Sequence, residues 1–226
     1  MRIKFYAHAS FRLEGDGLNV ITDPYRPDVA KYEPIAEPAD IVLMSSHNDR
    51  YHSDPSHITG APTVVNTLAL DAAGETIKGL YVKPFHVTES EKIRTYEDRD
   101  PDDNAMYLFT LDGIRILHMG DIGHAVPDAY LDALKGQVDV MFSLTGDHYT
   151  IPLDELDDAI GAIQPKVVIP MHYNNDRCPL QVDPVTSFTD RYPAEQVRWV
   201  NGAAIELSQA DLPTDGMQIL VFEESR

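Results

Sequence analysis

Residues 145–173 read TGDHYTIPLDELDDAIGAIQPKVVIPMHY, and this stretch decides the fold class. Within LDELDDAIGAIQ, Leu153, Leu156, Ile160 and Ile163 fall on one helical face. The apolar run KVVIPMH then reads as a buried strand ending on His172. A helix delivering its chain into a single buried strand is the repeating unit of layered α/β architecture.

Working outward, the N-terminal half is richer in strands. RIKFY (2–6) and FRLE (11–14) are short strands, Gly15-Asp16-Gly17 is a hairpin turn, and LNVIT returns from it. IVLM (41–44), 63–65 and GLYVKPF (79–85) continue the series, the last ending at His86. LALDAAG (68–74) predicts a short helix stopped by Gly74, and 89–103 reads as an acidic, mobile loop. AMYLFTL and IRILHMG form a hairpin about Asp112-Gly113, and PDAYLDALK (127–135) suits a helix with Pro in its first turn. VDVMFSL adds a strand, and the tail alternates a helix near 184–192 with the strands VRWV, AAIEL and QILVF, placing Trp199 in the core. The order predicts two packed sheets with helices outside, a layered α/β sandwich, in a single domain over 1–226.

Composition narrows the function. The chain of 226 residues has 43% hydrophobic and 24% charged side chains, enough to bury a core without disulfides. Against 37 acidic groups stand 18 basic ones, a formal net charge of −19. Nucleic-acid binding rests on Lys and Arg neutralising phosphates, and anionic membranes attract basic surfaces, so both are discounted as partners. Cys178 is the only cysteine, which excludes an internal disulfide and a cysteine-rich zinc knuckle; it is expected to be a small buried or half-buried residue. The opening MRIKFYAHASF lacks the apolar stretch of a signal peptide, and no run reaches membrane-spanning length, so a cytoplasmic location is expected. Composition leaves the oligomeric state open.

Five segments place ligand-type side chains just past apolar strands: His47-Asn48-Asp49-Arg50-Tyr51-His52, His86, His118-Met119-Gly120-Asp121, Asp147-His148 and His172. One histidine alone is more often a surface or core residue than a ligand. Their repetition at strand ends, where layered α/β folds build their sites, carries the inference. Imidazole with carboxylate suits zinc, manganese or iron without a thiolate.

These segments carry a family resemblance over nearly the whole chain. YAHASFRLEGDGLNVITDPY, ADIVLMSSH, HMGDIGH and TGDHYTIPLDELDDAI followed by PKVVIPMHY resemble the metallo-β-lactamase superfamily, in its short lactonase-like branch of metal-dependent hydrolases. The resemblance implies a four-layer αββα sandwich. It makes His86 and His172 histidine ligands and Asp121 the aspartate that touches or bridges the metals. It gives Asp23, His8, His118 and His124 supporting places around the ligands. His148 falls in a loop the resemblance sets near the metal, where it could donate a hydrogen bond to substrate, and Asn104 is a candidate for the pocket lining. The central motif departs from the family's H-x-H-x-D-H: the second histidine is Asp49 and the aspartate is Tyr51. The register is itself open, because counting along the strand from Asp40 sets the first ligand on Ser46. A phenol, neutral near pH 7, is a poor replacement for a ligating carboxylate. Asp49 serves better, since carboxylates also bind these ions.

The expected ligand set is His47, Asp49, His52, His86, Asp121 and His172, holding one or two divalent ions, zinc first, with manganese or iron as alternatives. The expected activity is hydrolysis of a small-molecule ester, lactone or phosphoester by a metal-activated water, with Asp121 taking its proton and His148 assisting. The alternative is a catalytically degenerate protein of the same fold that binds a metal or acts in structure or interaction. An RNA-cutting activity fits poorly with the charge.

Overall fold

The computed structural model describes residues 1–46, 49–89 and 103–226. Its strands are β1 (Arg2–Ala7), β2 (Ser10–Gly15), β3 (Leu18–Thr22), β4 (Ile41–Met44), β5 (Thr63–Asn66), β6 (Glu75–Ile77), β7 (Leu80–Thr88), β8 (Asp103–Leu111), β9 (Ile114–His118), β10 (Val140–Leu144), β11 (Val167–Met171), β12 (Val197–Trp199), β13 (Ala204–Glu206) and β14 (Gln218–Val221). The α-helices are α1 (Pro27–Ala30), α2 (Asp128–Leu134), α3 (Leu153–Ile163) and α4 (Val185–Thr189).

One sheet runs β13-β1-β2-β3-β4-β5 and the other β12-β14-β11-β10-β9-β8-β7-β6. Each is mixed. β1, β2 and β3 are antiparallel and β3, β4 and β5 parallel; β6 to β9 are antiparallel, while β9, β10, β11, β14 and β12 are parallel. This is the αββα sandwich. The hairpins turn where the sequence predicts: Asp16-Gly17 and Asp112-Gly113 carry the positive φ values that a two-residue hairpin loop demands.

The core lies between the sheets. Phe11 of β2 stacks on Phe142 of β10 with ring centroids 4.2 Å apart and planes 7° from parallel. Such a pair contributes about 0.5–1.5 kcal/mol beyond the area it buries. The helix α3 buries Leu153, Leu156, Ile160 and Ile163, the face its spacing predicts.

Three local expectations are corrected. LALDAAG forms only a 3-10 turn, Thr67–Ala69. Asn66 accepts the Leu68 N–H and Asp71 accepts the Ala73 N–H, side-chain bonds that compete with a helix. Trp199 is 51% exposed, because β12 is a three-residue edge strand. β7 does not stop before His86; it pairs with β8 as far as Thr88 opposite Asp103. Cys178 is half-buried.

The end of the parallel sheet away from the candidate site is pinned by Asp139, just before β10. The Arg115 guanidinium donates to both its carboxylate oxygens at 2.9 and 3.0 Å, and the Arg115 backbone N–H adds a third bond at 3.0 Å. Burial works against the charged carboxylate, but these donors outweigh it and hold its pKa down at about 2. A depressed folded-state pKa gives stability that is present above the unfolded value and lost as pH falls through the folded one. The contribution is therefore complete above about pH 4 and fades towards pH 2, amounting to about 2 kcal/mol. Asp139→Asn is expected to lower stability at pH 7 by roughly that amount and to flatten acid unfolding in this window, as denaturant melts at stepped pH will show.

Candidate metal centre

The carboxyl ends of β4, β9, β10 and β11 and the turn between β1 and β2 lead into the candidate site. After β3, Asp23 is fully buried; its Oδ1 accepts the Ser45 N–H at 2.6 Å, and Tyr107 Oη donates to Oδ2 at 3.4 Å. This fixes the exit of β4 into the motif loop. There Asp49 Oδ1 accepts the backbone N–H of His52 at 2.7 Å, a local turn that sends the His52 ring inward, where it is fully buried.

Asp121 follows β9 by way of Gly120, whose φ is +60°. Its backbone N–H donates to Asn104 Oδ1 at 2.9 Å, so Asn104, fully buried, orients the aspartate. The Asp121 carboxylate spans two imidazoles: Oδ2 lies 3.1 Å from His52 Nε2, and Oδ1 lies 3.6 Å from His172 Nε2. His172, one residue past β11, has φ +55°. Its N–H donates to the His8 carbonyl at 2.8 Å. Two overlapping groups result, His8/His52/His172 and Asp49/His52/Asp121; in each, one ligand-type atom per residue lies within 4.8 Å of the others.

Behind them, His118 Nδ1 accepts the Gly120 N–H at 3.1 Å, which leaves Nε2 to donate to the Ala9 carbonyl at 3.0 Å. Burial pushes His118 down to about 3 against the pull of that carbonyl. Burial likewise lifts Asp23 to about 7, although His52 and the Ser45 N–H oppose it. For His52 burial also disfavours charge, yet Asp49, Asp121 and Asp23 together outweigh it and hold the imidazole well above its usual value. A dry pocket that stabilises one positive charge is suited to a cation. Burial, with a contribution from the neighbouring imidazoles, pushes His8 and His172 down.

The residues fit a divalent ion by a further observation. The nitrogens of the buried His52 and His172 rings that face the Asp121 carboxylate are both Nε2, at 3.1 and 3.6 Å, so imidazole and carboxylate donors converge on one point. The donor set, imidazole and carboxylate without thiolate, is one that zinc, manganese and iron accept.

Of the residues singled out by sequence, the structure brings together Asp49, His52, Asp121 and His172. His47 lies outside the described residues, as does nearly all of the acidic segment 89–103. His86 sits opposite Ala105 in the β7–β8 ladder with an exposed side chain, between buried Phe85 and Val87, and belongs to neither group above. His148 is exposed beside Asp147 and Asp183, with Nδ1 at 3.5 and 3.9 Å from their oxygens. His124 accepts the Thr88 N–H at 3.3 Å. His8, given only a supporting place on sequence, stands inside the cluster. Its signal in the sequence is faint, since the strand before it, RIKFYA, leads straight into a tight hairpin turn.

No helix among the described residues is long and apolar enough to cross a membrane. A family profile described as a beta-lactamase superfamily domain matches residues 2–172. A UPF0173 metal-dependent hydrolase of Thermoplasma acidophilum is 31% identical over 77% of this chain and 84% of its own length. Another, from Thermococcus kodakarensis, is 27% identical over 77% of this chain and 85% of its own length. A crystal structure of a metallo-β-lactamase superfamily protein from Thermotoga maritima superposes with a TM-score of 0.76 at 24% identity, covering 99% of each chain. Sequence profile and relatives agree that this chain belongs to the beta-lactamase superfamily domain family, and its architecture is the metallo-β-lactamase fold.

Proposed function

We propose that the chain is a metal-dependent hydrolase of a small-molecule ester, lactone or phosphoester. The observation that carries this reading is the buried meeting of Asp49, His52, Asp121 and His172 at the ends of parallel strands. These residues would hold a divalent ion, zinc first, with manganese or iron as alternatives. When bound, such an ion supplies Lewis-acid activation of water and of the substrate's carbonyl or phosphoryl oxygen.

The chain's own groups supply the rest. Asp121, oriented by Asn104, can take the proton of the attacking water. His148, exposed beside Asp147 and Asp183, would donate a hydrogen bond to the substrate. The net charge of −19 argues for a small molecule over nucleic acid or an anionic membrane.

Tyr51, in the place of the motif's aspartate, favours a second reading, a metal-binding protein without turnover. A panel of lactones, carboxylic esters and phosphoesters, assayed with protein stripped by chelator and then reloaded, separates the two. The hydrolase reading expects turnover of at least one class, lost on stripping and restored by the ion. Restored metal binding without turnover across the panel would establish the second reading instead.

A further inference from the structure

The family's central motif supplies a histidine that this chain lacks, and His86 turns an exposed side chain outward from its strand. A third buried imidazole nevertheless stands in the cluster. His8 occupies the two-residue turn between Ala7 of β1 and Ser10 of β2, a position that favours Gly, Asn or Asp, and it adopts φ +58° there. A histidine held in that conformation calls for a reason.

The backbone sets its ring. The His8 carbonyl accepts the His172 N–H at 2.8 Å, so the two turns hold each other in register. The ring centroids of His8 and His172 are 4.0 Å apart, and those of His8 and His52 are 5.3 Å apart. One ring nitrogen from each of the three lies within 4.8 Å of the others. A tetrahedral ion with metal–nitrogen bonds of about 2.1 Å needs nitrogens about 3.4 Å apart. Small rotations of the rings supply a difference of that size. His8 Nε2 is buried without a hydrogen-bond partner among the described residues. An orphaned nitrogen on a ring that touches two further imidazoles points to a ligand that takes up its lone pair.

We propose that His8 is a ligand of the metal centre, so that His8, His52 and His172 with Asp121 hold the ion and His86 does not. This rests on the metal-binding reading above and reassigns its ligands. The turn between β1 and β2 then contributes the third ring of a three-imidazole site.

The test compares wild type with His8→Asn, which keeps the positive-φ turn, and with His86→Gln, each loaded with cobalt(II) and with zinc. Affinity is read by competition with a chromogenic chelator, and geometry by the visible spectrum of the cobalt form. His8→Asn is expected to lose about 100-fold or more in affinity and to alter the cobalt spectrum, while His86→Gln stays within about threefold with the wild-type spectrum. A histidine that merely supported the ligands would weaken binding and leave the spectrum unchanged, and that result overturns the assignment. X-ray absorption on zinc-loaded wild type reads the same point without any variant: three coordinated imidazoles are expected, and two or fewer overturn it. Wild type that binds no ion removes the metal-binding reading itself, an outcome distinct from wild type that binds the ion with His8→Asn unaltered.

Discussion

Asp121→Ala is expected to abolish hydrolysis and to weaken metal binding by about 100-fold or more while the chain stays folded. The carboxylate lies against both His52 and His172, at 3.1 and 3.6 Å. Losing a supporting residue alone typically costs 10–100-fold in affinity, on the order of 1.4–2.7 kcal/mol, and Asp121 is placed as a ligand. Folding should survive. The aspartate's backbone N–H bond to Asn104 remains in the variant, and removing a carboxylate from a cluster of acids relieves repulsion even as His52 loses a partner. Titration calorimetry gives the affinity and a thermal melt in chelator gives the fold. Unchanged affinity would remove Asp121 from the ligand set, whereas collapse of the metal-free protein would make its role structural.

Gly120→Ala carries the second large effect, and it acts on folding. Gly120 holds φ +60°, where a Cβ is strained, and that Cβ would sit 2.2 Å from Asn104 Oδ1 and 2.5 Å from the Ala105 carbonyl oxygen. Ser45 Cβ would lie at 3.0 Å on another side. The Asn104 side chain could swing away only by releasing the Asp121 N–H, and the carbonyl of Ala105 lies within β8, whose Ala105 N–H is held by the Ser45 carbonyl at 3.0 Å, and cannot move freely. A cost of about 3–5 kcal/mol follows from strain and overpacking together. For a domain of this size that corresponds to a fall in Tm of roughly 10 °C. Melting in chelator measures it, and a shift below about 3 °C would mean that the turn tolerates a side chain.

Much of the fold was legible because its signals are local. The alternating N-terminal strands, the Asp-Gly turns and the spacing of Leu153, Leu156, Ile160 and Ile163 each act over a few residues, and the structure follows them. Failures came where the deciding interaction was not local. LALDAAG lost its helix to side-chain bonds from Asn66 and Asp71. The late strand pattern around Trp199 predicts a place in the core, but β12 is short and at the edge of its sheet.

The site divides in the same way. Asp121 and His172 stand directly after apolar strands, and strand ends are readable in a sequence. His86 looked equivalent, yet the ladder with β8 carries β7 two residues beyond it, so alternation turns the ring outward. His8 sits in a tight hairpin, where pattern predicts a turn and says nothing of what the turn faces. Only the sheet pairing and the bond from the His172 N–H bring it to the cluster.

The central claim, that this pocket holds a catalytic divalent ion, is most directly tested by anomalous X-ray scattering. Crystals of untagged protein, purified without chelator and soaked in zinc, would be measured on either side of the zinc absorption edge. One dominant anomalous peak is expected about 2.0–2.2 Å from ring nitrogens of His52 and His172 and from a carboxylate oxygen of Asp121. A map without a peak there, or with the only strong peak on the exposed Asp147, His148 and Asp183, would contradict it.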